Sequence, residues 1–537
     1  MQISQKISFV LLSVIVVVAA ALRLYQLGQV PHGMTWDEAA IGYNGYAIVT
    51  ARRDEWLIKL PISFKSFGDY KAPLAVYATG IFTTLLGSEL WVLRLPFALS
   101  GIVGVVGIYL LMTLLTKNKS TGRLLGLVAA GLLTLSPWHI FFTRVGFESG
   151  LALTLVIWLM VLFLHGLKQA KSTVWFVGST TLGVLSLYAY HSAKVFIPLL
   201  GLLLLVLYRR ELLQKVSQVV PAGIAAILVA VPVLYDSVWG NGLERAGVTV
   251  FSRGNSLVQN ILVSVQQFAD HLSPQFLFLG ETTTLRHGTG EWGVFLPTTV
   301  LLMAFFVGFA IYQAITRKLS RTYLLLLCWT LVGIIPAAIA TESPHANRSL
   351  LALPGFIGMA SFGLWELVNW LKQTKLHKQW LDSKSKANLL VPSVLGTLLN
   401  IHILLFLGFT NDYFTNFNAI SAEAFQDGYA EAVKIANEYQ KGLNGKPKVE
   451  QVVFSRGYGQ PYIYILYFNR INPIAYHGGI LQPYLFVDSV GIGDMQRQNV
   501  LLVATAASEL SEKKATHVIY AEDGSVRFKL YYLSPKE

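Results

Sequence analysis

Long apolar runs separated by short polar segments dominate the hydrophobicity pattern of the chain. A helix that crosses about 30 Å of hydrocarbon needs about 20 mostly apolar residues. Eleven windows of this kind follow one another, at residues 7–27, 94–115, 123–140, 146–167, 173–190, 193–208, 216–235, 293–315, 322–341, 349–370 and 388–410. The pattern therefore predicts a mainly α-helical, polytopic membrane protein with about eleven transmembrane helices.

The composition supports the same class. Of the 537 residues, 54% are hydrophobic and 13% are charged, and the mean hydropathy is +0.53. A formal net charge of +13 would also suit a protein that binds nucleic acid. We exclude nucleic acid, because the Lys and Arg residues occur in short clusters between apolar runs, as membrane orientation requires. The single cysteine, Cys328, excludes an intramolecular disulfide.

The charge pattern predicts which loops share a side of the membrane. Residues 74–87 are too few to cross comfortably, so we interpret them as an interfacial or re-entrant helix. The basic clusters then share the cytoplasmic side, at 117–123, 168–171, 209–215, 317–321 and 372–386. We interpret the first window as a retained anchor, because no small-residue cleavage site precedes the polar segment after it. The prediction is a multi-pass protein of the plasma (inner) membrane, with residues 31–73 and the tail outside.

The polar segment 31–73 follows the first predicted span and carries the first candidate chemistry. It contains adjacent carboxylates at Asp37 and Glu38 and a second polar group at Asp69 and Lys71. Carboxylates and a lysine at a membrane surface suit a site that accepts a proton, holds a cation or binds phosphate. A solvated loop is the alternative interpretation.

Further outer segments contribute ionisable groups to the same predicted face. These groups are Arg144, Glu148, His191, Lys194, His271, Arg286, His345 and Arg348. An ionisable group facing lipid costs about 2.5–3.5 kcal/mol, so we expect these groups to line a water-filled cavity. For each one alone, the alternative is a cation that reaches the lipid headgroups or an ordinary surface histidine. The loop 236–292 contains an amphipathic segment at 256–272 and is predicted to cover the cavity as a lid.

The tail after residue 410 has a different pattern. Residues 422–440 have helical periodicity, and VEQVVFS, YIYILYF and ATHVIYA are typical of short strands between Gly and Pro turns. We therefore predict a membrane domain at 1–410, with an outer catalytic loop at 29–93, and a small extracytoplasmic α/β domain at 411–537. The sequence contains no P-loop, no dinucleotide fingerprint and no nucleophile elbow.

Several ordered segments resemble those of a known family. They are TWDEAAIGYNGYAI, FGDYKAPLAVYATG, LRLPFALSGIVGVVGIYLL and SPWHIFFTR. They are similar to the protein O-mannosyltransferase and aminoarabinose (ArnT-like) transferase group, membrane glycosyltransferases of the GT-C class. The resemblance implies transfer of a hexosyl or pentosyl sugar from a polyprenyl-phosphate carrier, on the outer side of the membrane and with inversion. The acceptor, whether protein, lipid or cell-envelope glycan, stays open.

The resemblance also implies roles for individual residues. Asp37 matches the acidic residue that takes part in catalysis, Lys71 a contact to the carrier phosphate, and Asp69 a place where some members have an acidic metal ligand. The family's acid-Lys-Pro-Pro pattern reads DYKAP here, so the acid is displaced by one residue and one proline is missing. A divalent metal cofactor is therefore left open, with Asp37, Asp69 and His271 as candidate ligands.

The chemistry of an inverting transfer assigns the remaining candidates. A carboxylate must lie opposite the leaving phosphate and take the proton of the acceptor hydroxyl, and we assign this role to Asp37, with Glu38 as neighbour or alternate. Contacts to the carrier phosphate and the substrate are assigned to Asp69, Lys71, Arg144, Glu148, His191, Lys194, Arg286, His345 and Arg348. A transporter or flippase of lipid-linked solutes and a non-catalytic scaffold for envelope assembly are the alternative functions. Polar residues at one face rather than at mid-span, without an internal repeat, favour the transferase.

Overall fold

The structure is a computed structural model that describes residues 3–242, 247–252, 254–280, 284–373 and 390–535. The chain forms two compact units, one of Met1–Tyr25 and Phe97–Asn411 and the other of Gln26–Pro96 and Asp412–Glu537. The predicted division at residue 410 placed residues 29–93 with the membrane domain, whereas the structure groups them with the tail. Four lysines of the last predicted basic cluster, Lys375, Lys378, Lys384 and Lys386, lie outside the described residues.

Helices make up most of the described chain. In chain order they are α1 (Gln5–Leu24), α2 (Trp36–Ala51), α3 (Pro73–Leu86), α4 (Leu90–Leu115), α5 (Lys119–Thr134), α6 (Pro137–Arg144), α7 (Glu148–Lys168), α8 (Thr173–Ala189), α9 (Ala193–Leu207), α10 (Arg209–Gln214), α11 (Val216–Trp239), α12 (Leu257–Asp270), α13 (Pro297–Ile315), α14 (Arg321–Ala338), α15 (Leu353–Gln373), α16 (Leu390–Phe414), α17 (Asn416–Ile420), α18 (Tyr429–Lys441), α19 (Pro461–Phe468) and α20 (Pro473–His477). The predicted amphipathic segment at 256–272 is confirmed as α12.

Eight helices of the described chain are long and apolar enough to cross a membrane. They are α1, α4, α7, α11, α13, α14, α15 with the turn before it, and α16 with its continuation to Ile420. The pair α5 and α6, bent by 59°, would make a ninth, and α3, α8 and α9 are shorter apolar helices. The mainly α-helical polytopic membrane class is confirmed, while the number of eleven spans stays a prediction.

The strands form a small hairpin and a five-stranded sheet, both in the second unit. The strands are β1 (Phe64–Ser66), β2 (Asp69–Lys71), β3 (Gln451–Ser455), β4 (Tyr484–Val487), β5 (Val500–Thr505), β6 (His517–Tyr520) and β7 (Val526–Leu533). The order of the larger sheet is β4-β3-β5-β7-β6, with β3 parallel to both neighbours and β7 antiparallel to both of its own. Every residue of β5 is buried, as expected of a central strand covered on both faces. The predicted small C-terminal sheet domain is confirmed.

One predicted strand of the tail is a helix. The segment YIYILYF forms most of α19, which begins at Pro461. Proline is tolerated at this position because the first N–H groups of a helix have no intrahelical acceptor. Ile463, Ile465 and Tyr467 are all at most 2% exposed, and so are the residues between them. A short run that is apolar on every side has no periodicity that separates a buried helix from a buried strand. The strand prediction for this segment is therefore wrong.

The helix α2 explains why the first polar segment belongs with the tail. Most of its residues are buried, and Tyr43 joins the same apolar cluster as Tyr429 and Tyr464 of the tail. Glycines permit its close contact with α3, since a Cβ at Gly45 would lie 2.7 Å from the backbone nitrogen of Gly80. The interpretation of this segment as a solvated loop is therefore wrong.

Candidate active site

A capping box fixes the start of α2 and with it the position of Asp37. The Thr35 hydroxyl accepts a hydrogen bond from the Glu38 amide at 3.2 Å, and the Glu38 carboxylate accepts one from the Thr35 amide at 3.1 Å. These contacts satisfy amides that the first helical turn leaves without helical partners. The helix dipole also favours carboxylates in this turn. Asp37 therefore lies in the first turn of a helix whose starting residue, Trp36, is set by local sequence.

A buried ion pair holds the segment that leads into α2. The Arg94 guanidinium donates to both carboxylate oxygens of Glu38, at 2.8 Å to Oε1 and 3.2 Å to Oε2. It also donates to the backbone carbonyls of Leu27, Pro31 and Gly33, at 3.3, 2.8 and 3.0 Å. The two side chains are 0% and 1% exposed. Because both Glu38 oxygens contact Arg94 inside the fold, the structure argues against the predicted role of Glu38 as an alternate base.

Asp37 is the accessible carboxylate of the adjacent pair. Its Oδ1 lies 2.6 Å from Lys71 Nζ, and Asp69 Oδ2 lies 3.7 Å from the same nitrogen. The Asp37 side chain is 31% exposed and that of Lys71 is 9% exposed. Asp69 and Lys71 occupy alternate positions of β2 and therefore share one face of the strand. In the acid-Lys-Pro-Pro pattern the acid directly precedes the lysine, whereas here one residue separates them. This spacing directs both side chains to the same face of the strand.

This arrangement combines a possible proton acceptor with a cation. An accessible carboxylate can accept a proton from a hydroxyl group that approaches within hydrogen-bond distance. A lysine ammonium forms charge-assisted hydrogen bonds to phosphate oxygens. Asp37 and Lys71 therefore supply, within 2.6 Å of each other, the two kinds of group that transfer from a phosphate carrier requires.

The residues proposed as metal ligands do not fit a resident metal ion. In the described ranges, no three or more His, Cys, Asp or Glu side chains are grouped to hold one. Asp37 and Asp69 both face the Lys71 ammonium, in the space that a divalent cation would need. The Nε2 atom of His271 accepts the His345 amide at 2.9 Å, so the proton is on Nδ1, which donates to the Gln267 carbonyl at 2.7 Å. Both ring nitrogens of His271 are thus engaged, which argues against its predicted role as a metal ligand.

A second buried carboxylate lies at the turn after α2. The Tyr462 hydroxyl donates to Glu55 Oε1 at 2.6 Å, and the Glu55 amide donates to Asn44 Oδ1 at 2.8 Å. Burial raises the pKa of Glu55 to about 7. The Glu55 carbonyl also accepts a hydrogen bond from His477 Nε2 at 2.9 Å. These contacts connect the turn after α2 to α19 and α20.

In the first unit, the structure brings His287, from the loop predicted to be a lid, into contact with the loop after α14. The ring centroids of His287 and His345 lie 4.3 Å apart, and Arg286 precedes His287. The Arg348 amide donates to His345 Nδ1 at 3.3 Å, which places the turn of this loop around the histidine. Burial holds the pKa of His345 well below its usual range, with the neighbouring His287 and Arg348 acting in the same direction. His345 is therefore a neutral ring in contact with His287.

The remaining predicted residues of the first unit are Arg144, Lys194, Glu148 and His191. Arg144 is 0% exposed, and its Nη1 donates to the carbonyls of Leu22 and Tyr25 at the end of α1, at 2.7 and 2.8 Å. This structural contact argues against its predicted role in phosphate binding. Lys194 Nζ donates to the Gly242 carbonyl at 2.5 Å. Two further residues stand at element boundaries: Glu148 at the start of α7 and His191 in the turn before α9.

Both the sequence and the architecture of this chain are similar to those of known proteins. Residues 70–235 match the family model of dolichyl-phosphate-mannose-protein mannosyltransferases. ArnT from Cupriavidus metallidurans in the apo state aligns with a TM-score of 0.55 and 13% identity, over 98% of this chain and 98% of that one. The chain has the GT-C fold. The resemblance that the ordered motifs predicted is thereby confirmed.

Two more solved structures show the same GT-C fold. ArnT from Cupriavidus metallidurans bound to undecaprenyl phosphate aligns with a TM-score of 0.55, at 13% identity and 98% coverage of both chains. The archaeal oligosaccharyltransferase AglB from Archaeoglobus fulgidus, in complex with an inhibitory peptide and a dolichol-phosphate, aligns with a TM-score of 0.50 and 12% identity. That match covers 97% of this chain and 74% of AglB. No curated protein matches the chain by sequence.

The sequence by itself assigned no role to Arg94 and Glu55, two buried residues that contact residues of α2. Arg94 stands in the LRLP segment at the edge of a predicted span, where a lone arginine in an apolar run is a signal for a buried partner. Its partner Glu38 could have been sought among the acids of the preceding segment. Glu55 gave no such signal, because its partner Tyr462 lies 407 residues away.

Proposed function

We propose that the chain is a GT-C glycosyltransferase that moves a sugar from a polyprenyl-phosphate carrier to an acceptor hydroxyl on the outer side of the membrane. The observation that carries this proposal is the pairing of Asp37 with Lys71, 2.6 Å apart, at the start of α2. The match of residues 70–235 to a mannosyltransferase family and the ArnT-like fold support it. So do the structures of ArnT with undecaprenyl phosphate and of AglB with a dolichol-phosphate.

In the proposed reaction, the acceptor oxygen attacks the anomeric carbon of the sugar. The bond from that carbon to the phosphate oxygen breaks, the carrier phosphate leaves with the electron pair, and Asp37 takes the hydroxyl proton. Inversion places the base and the leaving group on opposite faces of the sugar. In inverting glycosidases the two catalytic carboxyl groups are likewise about 6.5–9.5 Å apart, because the attacking water must fit between the base and the sugar.

The position of Lys71 adds a step to this scheme. Its ammonium lies 2.6 Å from Asp37 Oδ1. Since the leaving phosphate belongs on the far side of the sugar, Lys71 cannot contact the phosphate while it stays on Asp37. We infer that Lys71 turns to the carrier phosphate when the donor binds, which releases Asp37 to accept the proton.

The proposed function is tested by the lipids of cells that lack the chain. We expect a polyprenyl-phosphate-linked sugar to accumulate, because its consumer is missing, and we expect the parental chain to restore the normal level. Mass spectrometry of extracted lipids measures both. A lipid-linked substrate that accumulates only on the cytoplasmic side would indicate a transporter, and an unchanged lipid profile would indicate a scaffold.

Replacing Lys71 by methionine is expected to raise the KM for the donor about tenfold to a hundredfold, since a hydrogen bond to a charged group contributes about 1.5–3 kcal/mol. Arg348→Ala tests the second predicted phosphate contact in the same assay. The assay follows transfer by the purified chain in proteoliposomes at several donor concentrations. Lys65→Met is the matched control, because Lys65 is an exposed lysine of the adjacent strand β1. An unchanged donor KM in the Lys71 variant would remove this lysine from the carrier site.

Cysteine labelling tests the predicted orientation in a Cys328→Ala background. We expect a membrane-impermeant thiol reagent to label Asn444→Cys in intact spheroplasts, and Lys119→Cys only after permeabilisation, because of the positive-inside rule. Both positions are exposed, whereas Ser455, in β3, is 1% exposed and would react poorly on either side. If only Lys119→Cys were labelled in intact spheroplasts, the topology would be the inverse of the predicted one, and an outer active site would be contradicted.

A further inference from the structure

A large pocket lies at the start of α1, in the first unit. Its volume is about 1670 Å³, and its walls are the start of α1, the end of α4, the start of α5 and the end of α7. The pocket lining belongs to the first unit and Asp37 and Lys71 to the second, so the pocket does not depend on the proposed function.

Specific hydrogen bonds hold the walls of this pocket together. The Ile3 amide donates to Ser120 Oγ at 2.9 Å, and the Arg123 guanidinium donates to the Ile3 carbonyl at 2.7 and 3.0 Å. The hydroxyl groups of Ser8 and Tyr109 lie 2.7 Å apart, between α1 and α4. These contacts join three helices around the opening, so the pocket exists before any ligand binds.

Both cationic and apolar side chains line the pocket. Lys6, Lys117, Lys119, Arg123 and Lys168 all line it, together with His165. Its lining, all within the described part of the chain, contains no Asp or Glu. The apolar residues of the lining include Phe9, Val10, Leu12, Leu110, Leu114 and Leu115. The pocket thus offers both positive charge and apolar surface to the same ligand.

This combination selects one class of ligand. Five Lys and Arg side chains without a carboxylate among them favour an anion, and apolar surface favours hydrocarbon. The volume exceeds the roughly 300–1,000 Å³ of sites for small molecules. Basic pockets between membrane helices bind anionic lipid headgroups. We propose that this pocket binds an anionic phospholipid of the bilayer, with its phosphate among the lysines and its acyl chains along the apolar surface.

Lipid titration of the purified, delipidated full chain tests the proposal by native mass spectrometry. Phosphatidylglycerol is expected to bind at least tenfold more tightly than phosphatidylcholine with the same acyl chains, because only the first carries a net negative charge. Inorganic phosphate at millimolar concentration is not expected to displace it, since free phosphate gains nothing from the apolar surface. Equal affinity for the two lipids, or displacement by inorganic phosphate, would overturn the assignment.

A pair of triple variants locates the binding. Lys6→Gln, Lys117→Gln and Lys119→Gln together remove three exposed lysines of the rim, and we expect about a hundredfold weaker phosphatidylglycerol binding, roughly fivefold for each cation near an anionic headgroup. The matched control replaces the exposed lysines Lys171, Lys318 and Lys372 by glutamine, which changes the net charge equally outside the pocket. We expect its affinity to stay within a factor of two of the parental value. Equal losses in the two variants would show general surface attraction instead of a site.

Discussion

Asparagine in place of Asp37 is expected to lower the rate of sugar transfer by about a hundredfold to ten-thousandfold, the usual contribution of a general base. The substitution keeps the shape of the side chain and an oxygen that can face Lys71, but it removes the negative charge that accepts the proton. Folding should be preserved, because the side chain is partly exposed at the start of α2 and Asn is tolerated there. Transfer by the purified chain in proteoliposomes measures the effect.

The comparison for this variant is Asp488→Asn, which neutralises an exposed carboxylate elsewhere in the same unit. We expect that chain to transfer sugar at the parental rate. Glu38→Gln should mainly affect stability, because Glu38 is bound to Arg94. A monodisperse Asp37→Asn protein that transfers sugar at the parental rate would show that Asp37 is not the base.

Methionine in place of Arg94 is expected to lower the free energy of unfolding by about 3–5 kcal/mol, the typical cost of leaving one partner of a buried ion pair alone. Arg94 is 0% exposed, and its loss would leave the Glu38 carboxylate buried without its cation. The carbonyls of Leu27, Pro31 and Gly33 would lose a donor as well. Pulse proteolysis of the detergent-solubilised chain along a urea gradient measures the loss.

Two further variants separate burial from simple ion pairing. Arg497→Met breaks a pair with the same 2.8 Å distance between Nε and a carboxylate oxygen, but at a partly exposed site. Exposed pairs contribute about 0–1 kcal/mol, so we expect a small effect. The double variant Glu38→Gln with Arg94→Met should recover part of the loss, because no charge is then left buried. Equal costs for the Arg94 and Arg497 variants would contradict the role of burial.

The amino-acid sequence by itself determined the membrane class and most of the helices. In hydrocarbon, every backbone polar group must be satisfied within the spanning element, so each span needs a long apolar run that local sequence reveals. Charged groups are costly in that environment, which is why DE at 37–38 and the lysine of DYKAP could be recognised as candidates for chemistry. The capping box at Thr35 and Glu38 is also local, and it fixed where α2 begins.

Only the tertiary structure decided which of the two adjacent carboxylates is accessible. Asp37 and Glu38 are adjacent acids, and they differ in exposure because Arg94, 56 residues after Glu38, pairs with Glu38 in a buried site. The local sequence also does not determine whether YIYILYF is a helix or a strand, because an apolar run that is buried on all sides shows neither helical nor strand periodicity. The contact of Glu55 with Tyr462 joins residues 407 positions apart. Burial and pairing of this kind depend on long-range packing. That packing buries α2 of the first polar segment in the same apolar cluster as residues of the tail, and no local sequence pattern indicates this contact.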